Sequence, residues 1–374
     1  MPAQNSHSNV EDWSSFLHRS APPNPPAWSE KVAACLADKR VLITGAGGSI
    51  GSALAQSTAH SDVRELLLLD ASESALYEVH QAICELQNPV PLVPLLVSVS
   101  DATALSSIFC QYRPEIVFHA AAFKHVPLME KNPFAAMANN AFGTRLLAET
   151  ATAYGCEQML MVSTDKAADP VSMMGASKRI AELILLAPNQ SSTRMKVVRL
   201  GNVLGTSGSV APLFTRQIAH GGPVTVTHPD VRRYLMTMSE ALNSIFSALC
   251  TEDAAGLLVP ELATPVRILD LAKFLIGDKD VPIVFTGLRP GDKMEESLTS
   301  QRESYRNLSG STLRTVQSPV PEPEELANGL DDLQSALEQR NLPHLVAAVQ
   351  HLVPEYQPTT QIRKGAAAVA AVNV

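Results

Sequence analysis

Short apolar, β-branched runs recur along the chain, and stretches of helical spacing separate them. Arg40–Thr44, Glu65–Leu69, Pro91–Val97, Ile116–Ala121, Gln158–Ser163 and Lys196–Leu200 read as strands. Phe134–Tyr154 and Ala176–Leu186 read as helices between them. Strands alternating with helices predict an α/β fold: a Rossmann-type, doubly wound parallel sheet. After Asn202 the pattern changes. Gly205, Ser207, Gly208 and Ser209 predict a loop, and Gly221-Gly222-Pro223 and His228-Pro229-Asp230 predict turns. Met238–Leu249 and Ile268–Ile276 read as helices, Pro319–Pro323 as a linker, and two more helices are expected before Pro354. The expected organisation is a leader over 1–38 and a dinucleotide-binding domain over 39–205, with a helix near 238–250 returning to it. A smaller mixed C-terminal substrate domain then fills most of 206–356, and 357–374 is expected to be a disordered tail. Pro22-Pro23-Asn24-Pro25-Pro26 suits neither helix nor inner strand.

The first strand runs directly into Gly45-Ala46-Gly47-Gly48-Ser49-Ile50-Gly51 and then a helical stretch. Strand, glycine turn and helix are the context in which such a motif holds a dinucleotide. Gly45 permits the tight turn, Gly48 lets backbone approach a pyrophosphate, and Gly51 lets the helix pack close to the strand. Amides at the helix start attract phosphate. Asp70 closes the second strand at the distance from the glycines where a ribose diol is read. A carboxylate there repels a 2′-phosphate, which favours NAD over NADP. No Lys-Ser or Lys-Thr follows the glycines, so the motif is not a P-loop.

Ligands of such sheets lie at the carboxyl ends of the strands. His119-Ala120-Ala121, Ser163-Thr164-Asp165 and Leu200-Gly201-Asn202 all fall there. Thr164-Asp165-Lys166 sets an acid beside an amine. Lys178 stands where a nicotinamide enzyme holds the ribose, but Met174 occupies the place of the tyrosine four residues before it.

The net charge of −8 with no basic run argues against nucleic acid as a partner. Five scattered cysteines (Cys35, Cys84, Cys110, Cys156 and Cys250) form no C-x-x-C pair, which argues against a disulfide framework or zinc site and fits a cytoplasmic setting. No apolar run approaches the ~20 residues that span a bilayer, and the Ala366–Val372 run is too short and weakly apolar for an anchor. His125 and His228 lack metal-ligand spacing, so no metal is expected.

Seven motifs in order carry a resemblance: the glycine loop, His119–Pro127, Ser163–Ala167, Met174–Arg179, Gly201–Gly205, Thr227–Asp230 and Leu288–Lys293. Together they resemble the UDP-N-acetylglucosamine 4,6-dehydratases of bacterial polysaccharide biosynthesis, within the extended short-chain dehydrogenase/reductase superfamily. The likeness runs from about residue 11 to Tyr356, and the Asp-Lys pair with Met in place of Tyr marks a subgroup. Leu352–Tyr356 also resembles the end of that family's long membrane-anchored form, so the chain is expected to correspond to its catalytic half.

The resemblance implies a redox-neutral cycle on a UDP-sugar: oxidation at C4, loss of water across C5 and C6, and reduction at C6. NAD would be tightly bound and regenerated each turnover. Implied cofactor contacts are Gly45, Gly48, Ser49, Ile50, Gly51, Asp70, Ser72, Ala120 and Lys178. Lys166 is the implied base for the C5 proton and must be neutral to act; Asp165 is the acid for the departing hydroxyl and must carry a proton. Thr164 would hold the C4 oxygen, and Lys178 would orient the nicotinamide ribose. Because Met174 cannot take a proton, the 4-hydroxyl must lose its proton to Asp165, Thr164 or a water relayed to Lys178. Arg289, Arg233 and Lys124 are expected at the substrate diphosphate and Asn202 at the cleft. Ser98 is a weaker adenine contact than the family's usual acid. The family suggests self-association into a homo-oligomer. Two competing readings share the scaffold: a UDP-sugar 4-epimerase, which normally uses the tyrosine lacking here, and a non-catalytic NAD-binding regulator, which would not need Asp165, Lys166 and Lys178.

Overall fold

A computed structural model describes residues 10–19, 30–86, 90–188, 192–251, 256–262, 264–308 and 311–372. Six parallel strands form its centre: β1 (Arg40–Thr44), β2 (Glu65–Asp70), β3 (Leu92–Leu96), β4 (Ile116–His119), β5 (Gln158–Thr164) and β6 (Arg194–Leu200). Their spatial order is 3-2-1-4-5-6. The order reverses between β1 and β4, and the crevice there is where this architecture takes its ligand. Alternation along each strand explains why both faces are covered. β1 sends Val41 and Ile43 into one core and Leu42 into the other; β2 divides Leu66 and Leu68 from Leu67 and Leu69 in the same way.

The sheet is larger than the first six strands. Gly256–Pro260 pairs in parallel with β6, followed by antiparallel Leu313–Gln317 and Ser304–Asn307. The chain beyond residue 205 therefore extends the sheet as well as building a separate lobe. The open side of β6 is an unpaired edge until these strands cover it. The Met238–Leu249 helix packs Leu242, Ile245, Phe246 and Leu249 onto the same core as Val41 and Ile43. The remaining lobe gathers Phe214, Val224, Val226, Leu235 and Leu271 into its own cluster.

Both terminal regions differ from expectation. In the stretch read as a leader, Val10–Leu17 and Glu30–Leu36 are helices. Trp13 is buried in the cluster of that remaining lobe, and Val32 and Leu36 in the sheet core. The proline-rich 22–26 stretch lies outside the described residues. In the stretch read as a disordered tail, Thr360–Val372 is helical and buries Ile362 among residues of the Met173–Leu186 and Leu342–Leu352 helices. Its alanines favour helix without advertising a core face. No helix among the described residues is long and apolar enough to cross a membrane.

Candidate active site

The glycine loop bridges β1 and the Ser49–Thr58 helix. Gly45 has φ +67°, and a Cβ there would lie 2.6 Å from the backbone nitrogen of Ala121. At Gly51 a Cβ would fall 1.9 Å from the Gly45 carbonyl oxygen, so helix and turn meet with no room for a side chain. Gly48 begins the helix, and no side chain caps its amides; an anion is the natural partner for such an end. Asp70 closes β2 and accepts hydrogen bonds from Gly47 N (2.9 Å) and Ser72 N (2.8 Å), which braces its carboxylate beside the loop. Ser72 spends its hydroxyl on capping the Glu73–Cys84 helix at Ala75 N. Ser49 Oγ accepts from Ser207 N at 2.9 Å, tying the loop after β6 across the glycine turn.

Thr164, Asp165 and Lys166 leave the end of β5 in a single 3₁₀ turn. Lys166 Nζ donates to Asp165 Oδ1 at 2.8 Å and to Asn202 Oδ1 at 3.1 Å, and Thr164 Oγ1 donates to Asp165 Oδ1 at 2.9 Å. Asp165 is fully buried, and its Oδ2 has no hydrogen-bond partner. A buried polar oxygen without a partner is rare in native proteins. Burial is the largest influence on the Lys166 amine and pushes its pKa down. The Asp165 and Glu296 charges, with the hydrogen bond to Asp165, outweigh it and hold the ammonium above the usual lysine value. The direction in which these charges act runs against the neutral amine expected at Lys166.

Lys178 lies on the Met173–Leu186 helix, and its charge acts on His119. At Gly175 a Cβ would meet the Lys166 carbonyl oxygen at 2.3 Å, so the helix lies directly on the Thr164–Lys166 turn. Sequence reasoning gave Gly175 no role. Lys178 is buried, and burial pushes its pKa down to about 8, with Glu182 partly opposing. Met174 is buried in the apolar cluster on that helix. His119, at the end of β4, bonds Thr44 Oγ1 and Thr144 Oγ1 through its two ring nitrogens at 2.7 and 2.9 Å. Burial, then the Lys178 charge, lowers its pKa to about 3, so it stays neutral.

The expected phosphate-binding cations divide. Arg289 is exposed, in a turn that Gly291 seats against Val126 and Ser172, and is paired with Asp292 at 2.9 Å. Lys124 donates to Ser207 O at 2.6 Å, and burial lowers its pKa. Arg233 is buried and spends its guanidinium on the carbonyls of Arg232, Met294 and Lys293, so it braces the lobe as well as facing Lys166. Ser98 Oγ accepts from Ser100 N in a local turn. Of the buried glutamates that escaped the sequence reading, Glu182 pairs with Arg199 at 2.6 Å, and two others lie elsewhere. Glu130 joins Met173 N to Thr359 Oγ1 at 2.6 Å each. Glu296 is buried, its Oε2 makes no hydrogen bond and lies 3.6 Å from Lys293 Nζ, and its charge favours the Lys166 ammonium. Neither stands in a motif that residue spacing alone would single out.

Residues 41–317 match the family described as polysaccharide biosynthesis protein. A capsular polysaccharide biosynthesis protein CapD of Staphylococcus aureus is 42% identical over 278 residues, covering 72% of this chain and 46% of that protein. The chain thus spans about half the length of that relative. A UDP-glucose 4-epimerase of Rickettsia canadensis is 32% identical over 278 residues, 71% of this chain and 79% of the epimerase. Among solved structures, Pen from Bacillus thuringiensis superposes with a TM-score of 0.70 at 26% identity, over 77% of this chain and 92% of Pen. With the dinucleotide crevice and the Thr-Asp-Lys turn in place, the chain belongs to the polysaccharide biosynthesis family of extended short-chain dehydrogenase/reductase proteins.

Proposed function

We propose that the protein is an NAD-dependent nucleotide-sugar 4,6-dehydratase that converts a UDP-N-acetylhexosamine, UDP-N-acetylglucosamine being the first choice, to its 4-keto-6-deoxy product. The observation that carries this reading is the Lys166–Asp165 pair with its buried, unpartnered Asp165 Oδ2. The crevice suits a dinucleotide: Gly45 and Gly51 leave no room for side chains, Gly48 opens an uncapped helix start, and Asp70 is braced where a ribose diol would lie. Bound there, NAD would supply the hydride chemistry, taking up hydride at sugar C4 and restoring it at C6.

The chain's own groups move the protons. The 4-hydroxyl proton has a route through Thr164 Oγ1 to Asp165 Oδ1, 2.9 Å away. Asp165 then passes a proton to the departing C6 hydroxyl, which leaves as water as the C6–O bond breaks. Lys166 takes the C5 proton, and the electrons of that C–H bond form the C5–C6 double bond. On reduction at C6, Lys166 gives a proton back to C5. In this account the working state carries one proton fewer than the ion pair, because Lys166 must start neutral. Activity should therefore rise with pH as Lys166 releases its proton. Lys178 would orient the nicotinamide ribose, and Arg289 and Lys124, which both lie near His125, would meet the diphosphate.

The likeness to a 4-epimerase keeps a second reading in view, since that reaction shares C4 oxidation. An epimerase does not need Asp165 and Lys166 as an acid-base pair. Incubation with UDP-N-acetylglucosamine and mass analysis separates the two. Loss of one water supports dehydration. A product of unchanged mass and inverted C4 overturns it.

A further inference from the structure

We propose that the Val10–Leu17 helix, with Arg19 just beyond it, is a clamp that sets the 202–209 segment for nucleotide-sugar binding, and that Trp13 and Arg19 are its positioning residues. This rests on the nucleotide-sugar reading above, whichever reaction follows. Trp13, Phe16 and Leu17 stand at helical spacing on one face. Trp13 is buried, at 7% exposure, in the cluster that holds Leu204 and Leu235, and Phe16 and Leu17 pack against that cluster. The Phe16 and Phe274 ring centroids are 4.8 Å apart. At Gly205, where φ is +75°, an added Cβ would lie 4.0 Å from Trp13 Nε1, so the indole borders the start of the loop. Arg19 grips the neighbouring strand. Its Nη2 donates to Leu235 O at 2.7 Å, and its Nη1 lies 3.3 Å from Glu240 Oε1. Glu240 is itself fixed, since its Oε2 accepts from Thr237 N at 2.7 Å in a capping box.

The clamp holds a two-stranded ribbon. Asn202–Val203 pairs in parallel with Leu235–Met236, Asn202 N donates to Tyr234 O at 2.7 Å, and Leu204 N donates to Met236 O at 2.8 Å. So short a pairing is not stable by itself, and Trp13 and Arg19 brace it at Leu204 and Leu235. The ribbon carries polar groups of the site at both ends of the 202–209 segment. Asn202 Oδ1 accepts from Lys166 Nζ at 3.1 Å. Past Gly205, Ser207 N donates to Ser49 Oγ on the glycine turn at 2.9 Å, and Ser207 O accepts from Lys124 Nζ at 2.6 Å. A Cβ at Gly208 would lie 2.4 Å from His125 Cε1, so the loop also seats directly on that ring. The loop thus joins the turn that would hold the cofactor phosphates to the lysine placed at the substrate diphosphate. A loop already held in its bound arrangement avoids the ordering cost of binding, and the clamp acts on the site by holding it there.

The test titrates UDP into the NAD-loaded protein by calorimetry, a probe that bypasses the question of dehydration or epimerisation. Trp13→Ala and Arg19→Met are each expected to weaken UDP binding about tenfold, as when the loop holds its binding arrangement about a tenth of the time. KM for UDP-N-acetylglucosamine should rise in step, with kcat and NAD content little changed. Trp13→Phe keeps the apolar face and should bind UDP as the wild type does. The Arg19 side chain keeps 22% exposure, so its variant should fold even where Trp13→Ala does not. Ile276→Ala thins the same cluster from the Ile268–Ile276 helix and should melt lower with UDP affinity unmoved. If Trp13→Ala and Arg19→Met melt lower yet bind UDP with wild-type affinity, the proposal is overturned. An equal loss of affinity in Ile276→Ala also overturns it, by showing that any loosening of the lobe has the same effect. A wild-type protein that does not bind UDP overturns the nucleotide-sugar reading itself, and the clamp's role with it.

Discussion

Replacing Lys166 with methionine keeps the length of the side chain and removes its charge and its base. Lys166 Nζ holds two acceptors, Asp165 Oδ1 at 2.8 Å and Asn202 Oδ1 at 3.1 Å. Asp165 is fully buried with Oδ2 already unpartnered, so the variant leaves a buried carboxylate served by the Thr164 hydroxyl. Breaking a buried pair from one side costs about 3–5 kcal/mol. The Lys166 side chain keeps 22% exposure, which places the loss near the lower end, about 3 kcal/mol. The amine's pKa is raised in the folded protein. Its contribution is thus fully present below the ordinary lysine value and is lost only as pH climbs through the folded value. The stability gap between wild type and variant should therefore persist through neutral pH and narrow only in strong alkali. Chemically, loss of a general base costs about 10²–10⁴-fold, or about 3–5 kcal/mol of barrier. Denaturant melts across pH read the first effect, and solvent deuterium at C5 reads the second. Wild-type exchange in Lys166→Met removes the residue from the base role. Unchanged stability at neutral pH refutes the buried pair.

Other perturbations separate the parts of the site. Gly51→Ala places a Cβ 1.9 Å from the Gly45 carbonyl oxygen. It should displace the helix start and weaken NAD binding by at least about tenfold in a calorimetric titration; unchanged affinity would contradict the tight helix-turn contact. Lys178→Met should abolish turnover yet stabilise the cofactor-free protein. The folded pKa of about 8 lies below the ordinary lysine value of 10.5, so burying the charge costs stability below pH 8, and the penalty fades between the two values. Removing it is worth about 3 kcal/mol at neutral pH by the shift alone, and a lower melting temperature there would contradict that. Arg289→Ala should raise KM for the UDP-sugar about tenfold and leave stability within about 0.5 kcal/mol, because its pair with Asp292 is on the exposed arginine side. An unchanged KM removes Arg289 from the diphosphate site.

Much of the fold was legible because the sheet is buried on both faces. Runs such as Val41–Ile43 and Leu66–Leu69 then have no solvent side to disguise them. The glycine turn was equally plain, since steric exclusion at Gly45 and Gly51 forces the residue type. The Asp165–Lys166 turn could be placed at a strand end by counting elements, and Asn202 fell beside it for the same reason. What could not be read depends on distant packing. The three added strands gain their place from the open edge of β6, which local pattern does not reveal. The terminal helices are held by a few apolar contacts with distant segments, Trp13, Phe16 and Leu17 at one end and Ile362 at the other. Glu296 is 130 residues from Lys166 in sequence, and only the folding of the 293–296 segment onto Arg232 and Ala168 brings its charge to bear on the lysine. The charge balance at Lys166 was missed for the same reason: burial was foreseen, but the second carboxylate was not.

Proton NMR of the reaction with UDP-N-acetylglucosamine in deuterated water tests the central claim most directly. The account expects a C6 methyl signal, a ketone at C4 and deuterium at C5, all dependent on Lys166. A C4-inverted sugar that keeps its hydroxymethyl group and its C5 proton would contradict it.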